Sequence, residues 1–459
     1  MMRLFLLFIA DSVAFLLAFL LAYCLRILFS TYDKTIIQTF ISIWWAAPII
    51  MLSFAYEGLY VKRRPFWMEV RFILRSLTLA FLLIFTIVSL GHLSSDISRF
   101  ILVAFGIFCI FLLPIMRKYA KRFTTGLEPV VIIGSNKAAI ACAEALLEDR
   151  YLGYKFIGFL ADNVGQTITV RKKEFKVLGK AKNIGRFVSI GVKTAIVALH
   201  SNEESLRVIG QLHSKVKRIF FAPDAHGAPL ANTEPLFLFE KDIFLLGMRN
   251  NLESEFSQFA KRAFDILLSI VAVPILMPII AIIAFLIKKD DGGTVFFVQT
   301  RMGQDGKPFS CYKFRTMKSN SGKILDEYLK ANIEAKIEWE KYKKIRGTDP
   351  RVTKIGQFLR KTSLDELPQI FNIIKGEMSF VGPRPYLFSE RKDMLGQDGI
   401  VLICKPGISG FWQISGRNQL DFSERVRLDS WYVANWSLWL DVVILIKTVK
   451  VVLKQEGAY

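Results

Sequence analysis

Residues 360–385, R-K-T-S-L-D-E-L-P-Q-I-F-N-I-I-K-G-E-M-S-F-V-G-P-R-P, decide how the rest of the chain is read. Pro368 has no N–H and its ring damages a helix interior, so it is tolerated only near a helix start. A helix is therefore expected to begin near Leu364 or Asp365, and Gly376 reads as its stop, with the cation Lys375 beside it. Asp365 and Glu366 then occupy the first turn, where unpaired backbone N–H groups favour carboxylates and phosphates. Arg360 and Lys361 lie just upstream, and Arg384 is stiffened by Pro383 and Pro385. Standing alone, the acidic pair reads equally well as a cap. Set among several fixed cations, it reads as a site for phosphorylated ligands.

Composition limits what such a site serves. The chain has 459 residues, is 52% hydrophobic and carries a formal net charge of +21. That is too apolar for an ordinary soluble protein, so membrane residence is the first inference. The charge suits nucleic acid, an acidic lipid leaflet or phosphorylated substrates; the apolar helices select the lipid surface over nucleic acid. Cys24, Cys109, Cys142, Cys311 and Cys404 form no C-x-x-C pair, which disfavours a disulfide scaffold or a zinc knot.

Four apolar stretches, roughly 4–29, 36–56, 72–91 and 97–116, are each long enough to cross a bilayer. The first has no cleavage-like end and reads as an anchor. Lys62, Arg63, Arg64, Arg71 and Arg75 gather between the second and third stretches; Arg117, Lys118, Lys121 and Arg122 follow the fourth. The positive-inside rule then places both chain ends in the cytoplasm. Asp11 and Arg26 within the first stretch mark either a functional path or helix pairing and snorkelling.

Beyond this transmembrane domain, 1–122, the pattern becomes that of a soluble module. The apolar strand 130–133 leads into Gly134-Ser135-Asn136 and a helix-like run, and further apolar runs alternate with helices. A Rossmann-like α/β module over 127–250 is expected. Its G-S-N-K-A-A turn offers one glycine where a diphosphate fingerprint needs three, so a structural, dimerising or regulatory role is expected of it.

The apolar run 263–287 is also long enough to span. Lys261 and Arg262 flank one end and Lys288 and Lys289 the other, so both ends claim the same side, and Pro274 and Pro278 promote a bend near the middle. A re-entrant helix is expected, entering and leaving the inner leaflet. Residues 295–300 and 308–314 read as a hairpin around Gly303 and Gly306, presenting Lys313 and Arg315 as phosphate-binding cations. Residues 323–346 read as a charged, solvated helix. The tail from Trp431 to Leu453 reads as an interfacial helix, aromatic at its start and lysine-bearing on one face.

Residues 261–459 closely resemble the catalytic domain of the monotopic phosphoglycosyl transferases, the bacterial polyprenyl-phosphate hexose-1-phosphate transferases. The motifs are K-R-A-F-D at 261–265, Y-K-F-R-T-M at 312–317, D-P-R at 349–351, T-S-L-D-E-L-P-Q at 362–369, G-E-M-S-F-V-G-P-R-P at 376–385, K-P-G-I-S-G at 405–410 and G-R-N at 416–418. Four spans and an α/β module ahead of that domain resemble the family's large subgroup, and the E-G-A-Y ending resembles its galactose-specific members. The resemblance implies a catalytic domain over 256–459 on the cytoplasmic face of the bacterial inner membrane. It implies that Asp365 attacks the β-phosphate of a UDP-sugar, releasing UMP, and that undecaprenyl phosphate then takes the sugar phosphate from the enzyme. Glu366 would serve Mg²⁺, and Lys313, Arg360, Arg384 and Arg417 would bind substrate. Where the family often has serine before the bend proline, this chain has Met277. A homodimer joined through the α/β module and contacts with inner-membrane lipids complete the expected partners. The rival reading is a catalytically inactive membrane scaffold, which the intact acidic pair opposes.

Overall fold

The computed structural model describes residues 2–29, 34–90, 97–123, 127–189, 191–213, 215–223, 233–238, 243–248, 251–318, 320–332, 349–394, 396–416 and 420–453. These form two units, Met1–Ala225 and His226–Tyr459.

The first unit begins with helices α1 (Met2–Phe29), α2 (Ile36–Ile43), α3 (Ala46–Tyr56), α4 (Phe66–Leu90) and α5 (Arg99–Arg122). By length and composition α1, the α2–α3 pair, α4 and α5 can each cross a membrane. The 36–56 stretch is not one helix but two, parted at Trp44 and Trp45. Pro48 has no N–H to donate to the carbonyl four residues back, so the ladder lapses there. Ala14, Ala18 and Ala22 recur every fourth residue on α1 and are fully buried, a small-residue seam that lets α5 approach closely.

Charge is buried between these helices in a closed network. Arg117 of α5 donates from Nε and Nη2 to the two Asp11 oxygens at 2.7 and 2.6 Å, and from Nη1 to Glu69 Oε1 at 3.1 Å. Lys121 pairs with the other Glu69 oxygen. Two acids and two bases cancel, and Asp11 is thereby a helix-pairing residue.

The α/β module carries β1 (Glu128–Ile133), α6 (Lys137–Glu148), β2 (Tyr154–Leu160), β3 (Thr167–Val170), β4 (Lys173–Gly179), α7 (Ile184–Ser189), β5 (Thr194–Val197), α8 (Asn202–Leu212) and β6 (Arg218–Phe221). Strand order is β3-β4-β2-β1-β5-β6, parallel except for β3 against β4. Val130 and Ile132 of β1 pack on one face, Val131 and Ile133 on the other, as an all-apolar central strand requires. After β1, the Asn136 side chain accepts the Ala139 N–H at 2.8 Å. That side chain satisfies one of the donors left unpaired at the helix start. Arg63, beyond α3, pairs with Glu128 at 3.2 Å and donates to Gly153 O, fastening the module to the helices.

Described strands of that sheet end at Phe221, and the hairpin of β7 (Thr233–Leu238) and β8 (Ile243–Met248), inside the expected 127–250 module, falls in the second unit. There follow α9 (Glu255–Asp291), β9 (Phe296–Met302), β10 (Pro308–Phe314), α10 (Ser321–Ala331), α11 (Lys354–Thr362), α12 (Ile370–Lys375), β11 (Ser379–Val381), α13 (Asp398–Val401), β12 (Gly407–Ser409), α14 (Phe411–Ile414), α15 (Phe422–Ala434) and α16 (Leu438–Leu453). Of the expected charged helix 323–346, residues 333–346 lie outside the described residues.

Helix α9 runs unbroken through Pro274 and Pro278. Its first part is held by Lys261, whose Nζ donates to Asp441 Oδ2 at 2.7 Å and Val381 O at 2.9 Å, and by Asp265, which accepts from Ser379 Oγ and Phe380 N. Its last part packs Ile280, Ile283 and Ile287 against Phe309, Ile370 and Ile373 of the same unit. Leu267, Val271, Ile275, Ile282 and Phe285 are exposed.

Substituting Arg117→Ala leaves Asp11 and Glu69 buried with half their compensation gone. We expect a loss of about 3–5 kcal/mol, read as a lowered unfolding midpoint of the detergent-solubilised protein, and a smaller loss for Asp11→Asn/Arg117→Gln together.

Candidate active site

The acidic pair occupies a tighter turn than the sequence predicts. Helix α11 ends at Ser363, which adopts the left-handed conformation (φ 58°, ψ 20°), and Leu364–Gln369 continue as a 3-10 helix before α12 begins. Pro368 bears on the difference: it cannot donate to Leu364 O, so an α-helical ladder from Leu364 loses its first bond, and the regular α-helix begins at Ile370. Gly376 closes α12 at φ 85°, and Arg262 donates to the Ile373 and Ile374 carbonyls at 2.6 and 2.8 Å. The expected stop is met there, with a guanidinium from α9 serving the orphan carbonyls.

Lys313 reaches the pair from β10, donating from Nζ to Glu366 Oε1 at 2.6 Å. The Asp365 carboxyl is pushed up to about 6 by burial first and then by the Glu366 carboxylate, while Lys313 and Arg360 pull the other way. Burial works against the Lys313 ammonium, yet Glu366 and Asp365 hold it above the ordinary lysine range. Arg360, in the last turn of α11, is fixed by its Nε donating to Thr316 Oγ1 at 2.9 Å. Gly356 makes this possible, because any Cβ there would strike the Thr316 carbonyl. Asp349 and Arg351 of D-P-R form a two-pronged pair (2.9 and 2.6 Å) beside Arg360, and Val352 bridges to Met317.

Arg384 is placed by its backbone: its N–H donates to Asp429 Oδ2 at 2.9 Å, beside the Tyr386 hydroxyl at 2.8 Å on the same oxygen. Its guanidinium lies 3.7 Å from Glu390, and its buried Nε has no hydrogen-bond partner among the described residues. Gly382 and Gly407 let β11 and β12 meet backbone to backbone, with Gly382 N donating to Ser409 O and Gly407 N to Pro383 O, each at 2.9 Å. Arg315 sits half-buried at the end of the hairpin, its N–H on Val295 O at 2.9 Å. Arg417 lies outside the described residues, as does the E-G-A-Y ending.

Two contributors escaped the sequence reading. Arg301 of β9 donates to Pro385 O at 2.7 Å and interacts with both Arg384 and Glu366. The hairpin register pairs Arg301 with Phe309 and Lys313 with Phe297, which puts Gln299, Arg301 and Lys313 on one face. Two-residue alternation from Lys313 was the signal that could have found it. Asp429, fully buried and pushed up to about 7 by burial, is the other. Its spacing from Val426 and Val433 on α15 marks the inward stripe of that helix.

Beside Glu366 opens a mostly apolar cavity of about 250 Å³, bounded by Leu276 of α9, Leu367, Phe380, Ile408 and Val451 of α16. On α16, Val443 and Ile444 face inward, while Ile446, Lys447, Val449 and Lys450 are exposed, a mixed face of apolar stems and cations. The arrangement can hold an anionic group against Lys313, Arg360, Arg301 and Arg384, present a carboxylate to it and accept an apolar chain alongside.

Comparison with known proteins bears on both units. A bacterial sugar transferase family model matches residues 256–455, and a CoA-binding domain model matches 55–223. The chain is 39% identical over 412 residues to an uncharacterized sugar transferase of Haemophilus influenzae (87% of this chain, 85% of the relative). It is 37% identical over 407 residues to the undecaprenyl-phosphate galactose phosphotransferase of Salmonella typhimurium (87% and 84%). To the exopolysaccharide production protein ExoY of Rhizobium meliloti it is 46% identical over 200 residues, 44% of this chain and 88% of that protein.

The raised Asp365 pKa has a testable cost. In the fold this carboxyl prefers to be neutral, so its share of stability is present at low pH and falls as pH rises from about 4 towards 6. Asp365→Asn should therefore raise stability at pH 7.5 by about 1–3 kcal/mol and flatten its pH dependence over that window; a lowered unfolding midpoint would contradict the geometry.

Proposed function

Because the chain belongs to the bacterial sugar transferase family and is a transferase, we propose that it moves galactose-1-phosphate from UDP-galactose to undecaprenyl phosphate, releasing UMP. The observation that carries this reading is the half-buried Asp365 carboxyl beside the Lys313–Glu366 pair, with an apolar cavity opening beside Glu366. The galactose and the undecaprenyl phosphate acceptor are supported by the name of the Salmonella relative, and the tie to an exopolysaccharide by that of ExoY; the UDP donor and a place at the first committed step of an exopolysaccharide or O-antigen belong to the proposal itself.

In this mechanism an Asp365 oxygen attacks the β-phosphorus, the bond to the oxygen bridging the two phosphorus atoms breaks, and UMP leaves with that electron pair. A phosphosugar remains on the aspartate, dividing one displacement between two anions into two easier steps. An oxygen of undecaprenyl phosphate then attacks the same phosphorus and frees Asp365. Lys313, Arg360, Arg384 and Arg301 offset the repulsion between phosphate-bearing reactants.

Glu366, with Asp365 adjacent, fits magnesium. Mg²⁺ takes one or two carboxylates and completes its shell with water and substrate phosphates, and the described residues contain no group of three or more metal-binding side chains that would make an all-protein cage. When bound, the ion would screen charge on the diphosphate.

Helix α9 is read as re-entrant in the inner leaflet. Both its ends are held by one domain, through Lys261 and Asp265 at the start and Ile280 to Ile287 at the close, which a straight crossing would set on opposite sides of the bilayer. With α1, α2–α3, α4 and α5 as four spans, and cations after α3 and in the last turns of α5, the catalytic domain is assigned to the cytoplasmic face of the inner membrane. Homodimerisation through the α/β module is supported by the exposed Phe220 and Phe221 on the edge strand β6.

Membranes given UDP-galactose, Mg²⁺ and undecaprenyl phosphate should release UMP, and Asp365→Asn should abolish release. Lys313→Met should slow it about 100-fold. Wild-type activity should fall about tenfold per pH unit below the Asp365 value of about 6, as the nucleophile protonates. Radiolabel from the sugar phosphate should be trapped on Asp365; turnover without such label would overturn the two-step route, and faster turnover of UDP-glucose would overturn the sugar.

A further inference from the structure

Within the first unit, a cavity of about 940 Å³ opens where α5 ends, lined by Lys118, Lys121, Arg122, Lys155, Arg171 and Lys173 and by no carboxylate among the described residues. Lys121 is committed to Glu69 and Arg171 to Glu148. The other four have no carboxylate partner within 4 Å among the described residues; Lys118 instead lies 5.2 Å from the Phe66 ring centre. Four uncompensated like charges around one concavity raise a strong positive potential, which only an anion relieves. The rest of the lining is apolar or aromatic: Leu127, Leu146, Leu147, Phe156, Tyr151 and Tyr154. A phosphate alone would leave that surface uncovered.

The cations also sit at a particular level in the chain. Lys118, Lys121 and Arg122 form the last turns of a helix long and apolar enough to cross a membrane, and Lys155 and Lys173 come from the facing strands β2 and β4 of the α/β module. A basic, partly apolar concavity at the end of a span matches the headgroup depth of an anionic leaflet. We propose that this cavity binds the phosphate headgroup of an anionic membrane phospholipid, with its glycerol and upper acyl carbons against Leu146, Leu147 and Phe156. The site is distinct from Asp365 and Glu366 and makes the α/β module a lipid-sensing part of the chain. It rests on the reading of α5 as a span.

Native mass spectrometry of the full chain in neutral detergent tests it, with phosphatidylglycerol, phosphatidylcholine and inorganic phosphate as probes. Phosphatidylglycerol should be retained at least fivefold more than phosphatidylcholine. Lys155→Gln/Lys173→Gln should bring the two lipids level while leaving UMP release unchanged, and Lys155→Arg/Lys173→Arg should keep the preference. Equal retention by the wild-type chain, or an unaltered preference in the glutamine variant, overturns the proposal. Displacement of phosphatidylglycerol by millimolar inorganic phosphate would assign the cavity to a soluble phosphate and overturn the lipid source. An alkaline carbonate wash of membranes checks the span reading separately: release of the chain would sink that reading, whereas retention with no lipid preference sinks only the site.

Discussion

Two neighbouring carboxylates withdrawn from water are costly, and the second unit is arranged around the ammonium that offsets them. Lys313 touches Glu366 at 2.6 Å and is itself held charged by the pair it serves. Its position depends on the β9–β10 hairpin, the hairpin depends on Arg301 tying it to Pro385, and that segment depends on Asp429 receiving the Arg384 N–H. Each support is a polar group with a named partner, as a buried polar site demands. The glycines of the motifs belong to the same argument. At Gly356 and at the Gly382–Gly407 crossing, backbone meets backbone with no room for a side chain, so the cations on either side are set to within the tolerance of a main-chain contact.

A second knot joins this site to α9. Asp441 accepts from Lys261, from the Tyr432 hydroxyl at 2.7 Å and from Trp436 Nε1 at 3.1 Å, gathering α9, α15 and α16 at one buried point. Arg262, the next residue, serves the carbonyls at the end of α12. K-R-A-F-D is thus a joint between an apolar helix and the turn that carries the acidic pair. Its charges are internal.

What could be read from sequence was whatever a local rule determines. The hairpin follows from alternation and two glycines, the helix stop from Gly376, and the α/β pattern from apolar runs spaced by helical ones. What was missed depends on partners remote in sequence. Glu69 looks like a helix-start acid until Arg117 and Lys121 close on it, and Arg117 and Lys121 look like cytosolic cations until Asp11 and Glu69 bury them. Arg301 is an ordinary strand arginine without the register that sets it beside Lys313. The 3-10 turn at Leu364–Gln369 and the break at Trp44 were within reach, since each follows from a proline whose missing donor can be counted.

On the function proposed above, in which one reactant is drawn from a bilayer, anchorage of α9 at both ends has a kinetic meaning. With Ile275, Ile282 and Phe285 turned outward, the pocket beside Glu366 keeps a constant height relative to the apolar face of α9 that the proposal sets in the lipid. An isoprenoid acceptor then arrives by lateral diffusion. Its encounter rate is governed by molecules per unit area of leaflet, and diluting the same membranes in more buffer would leave that step untouched while slowing capture of the nucleotide sugar.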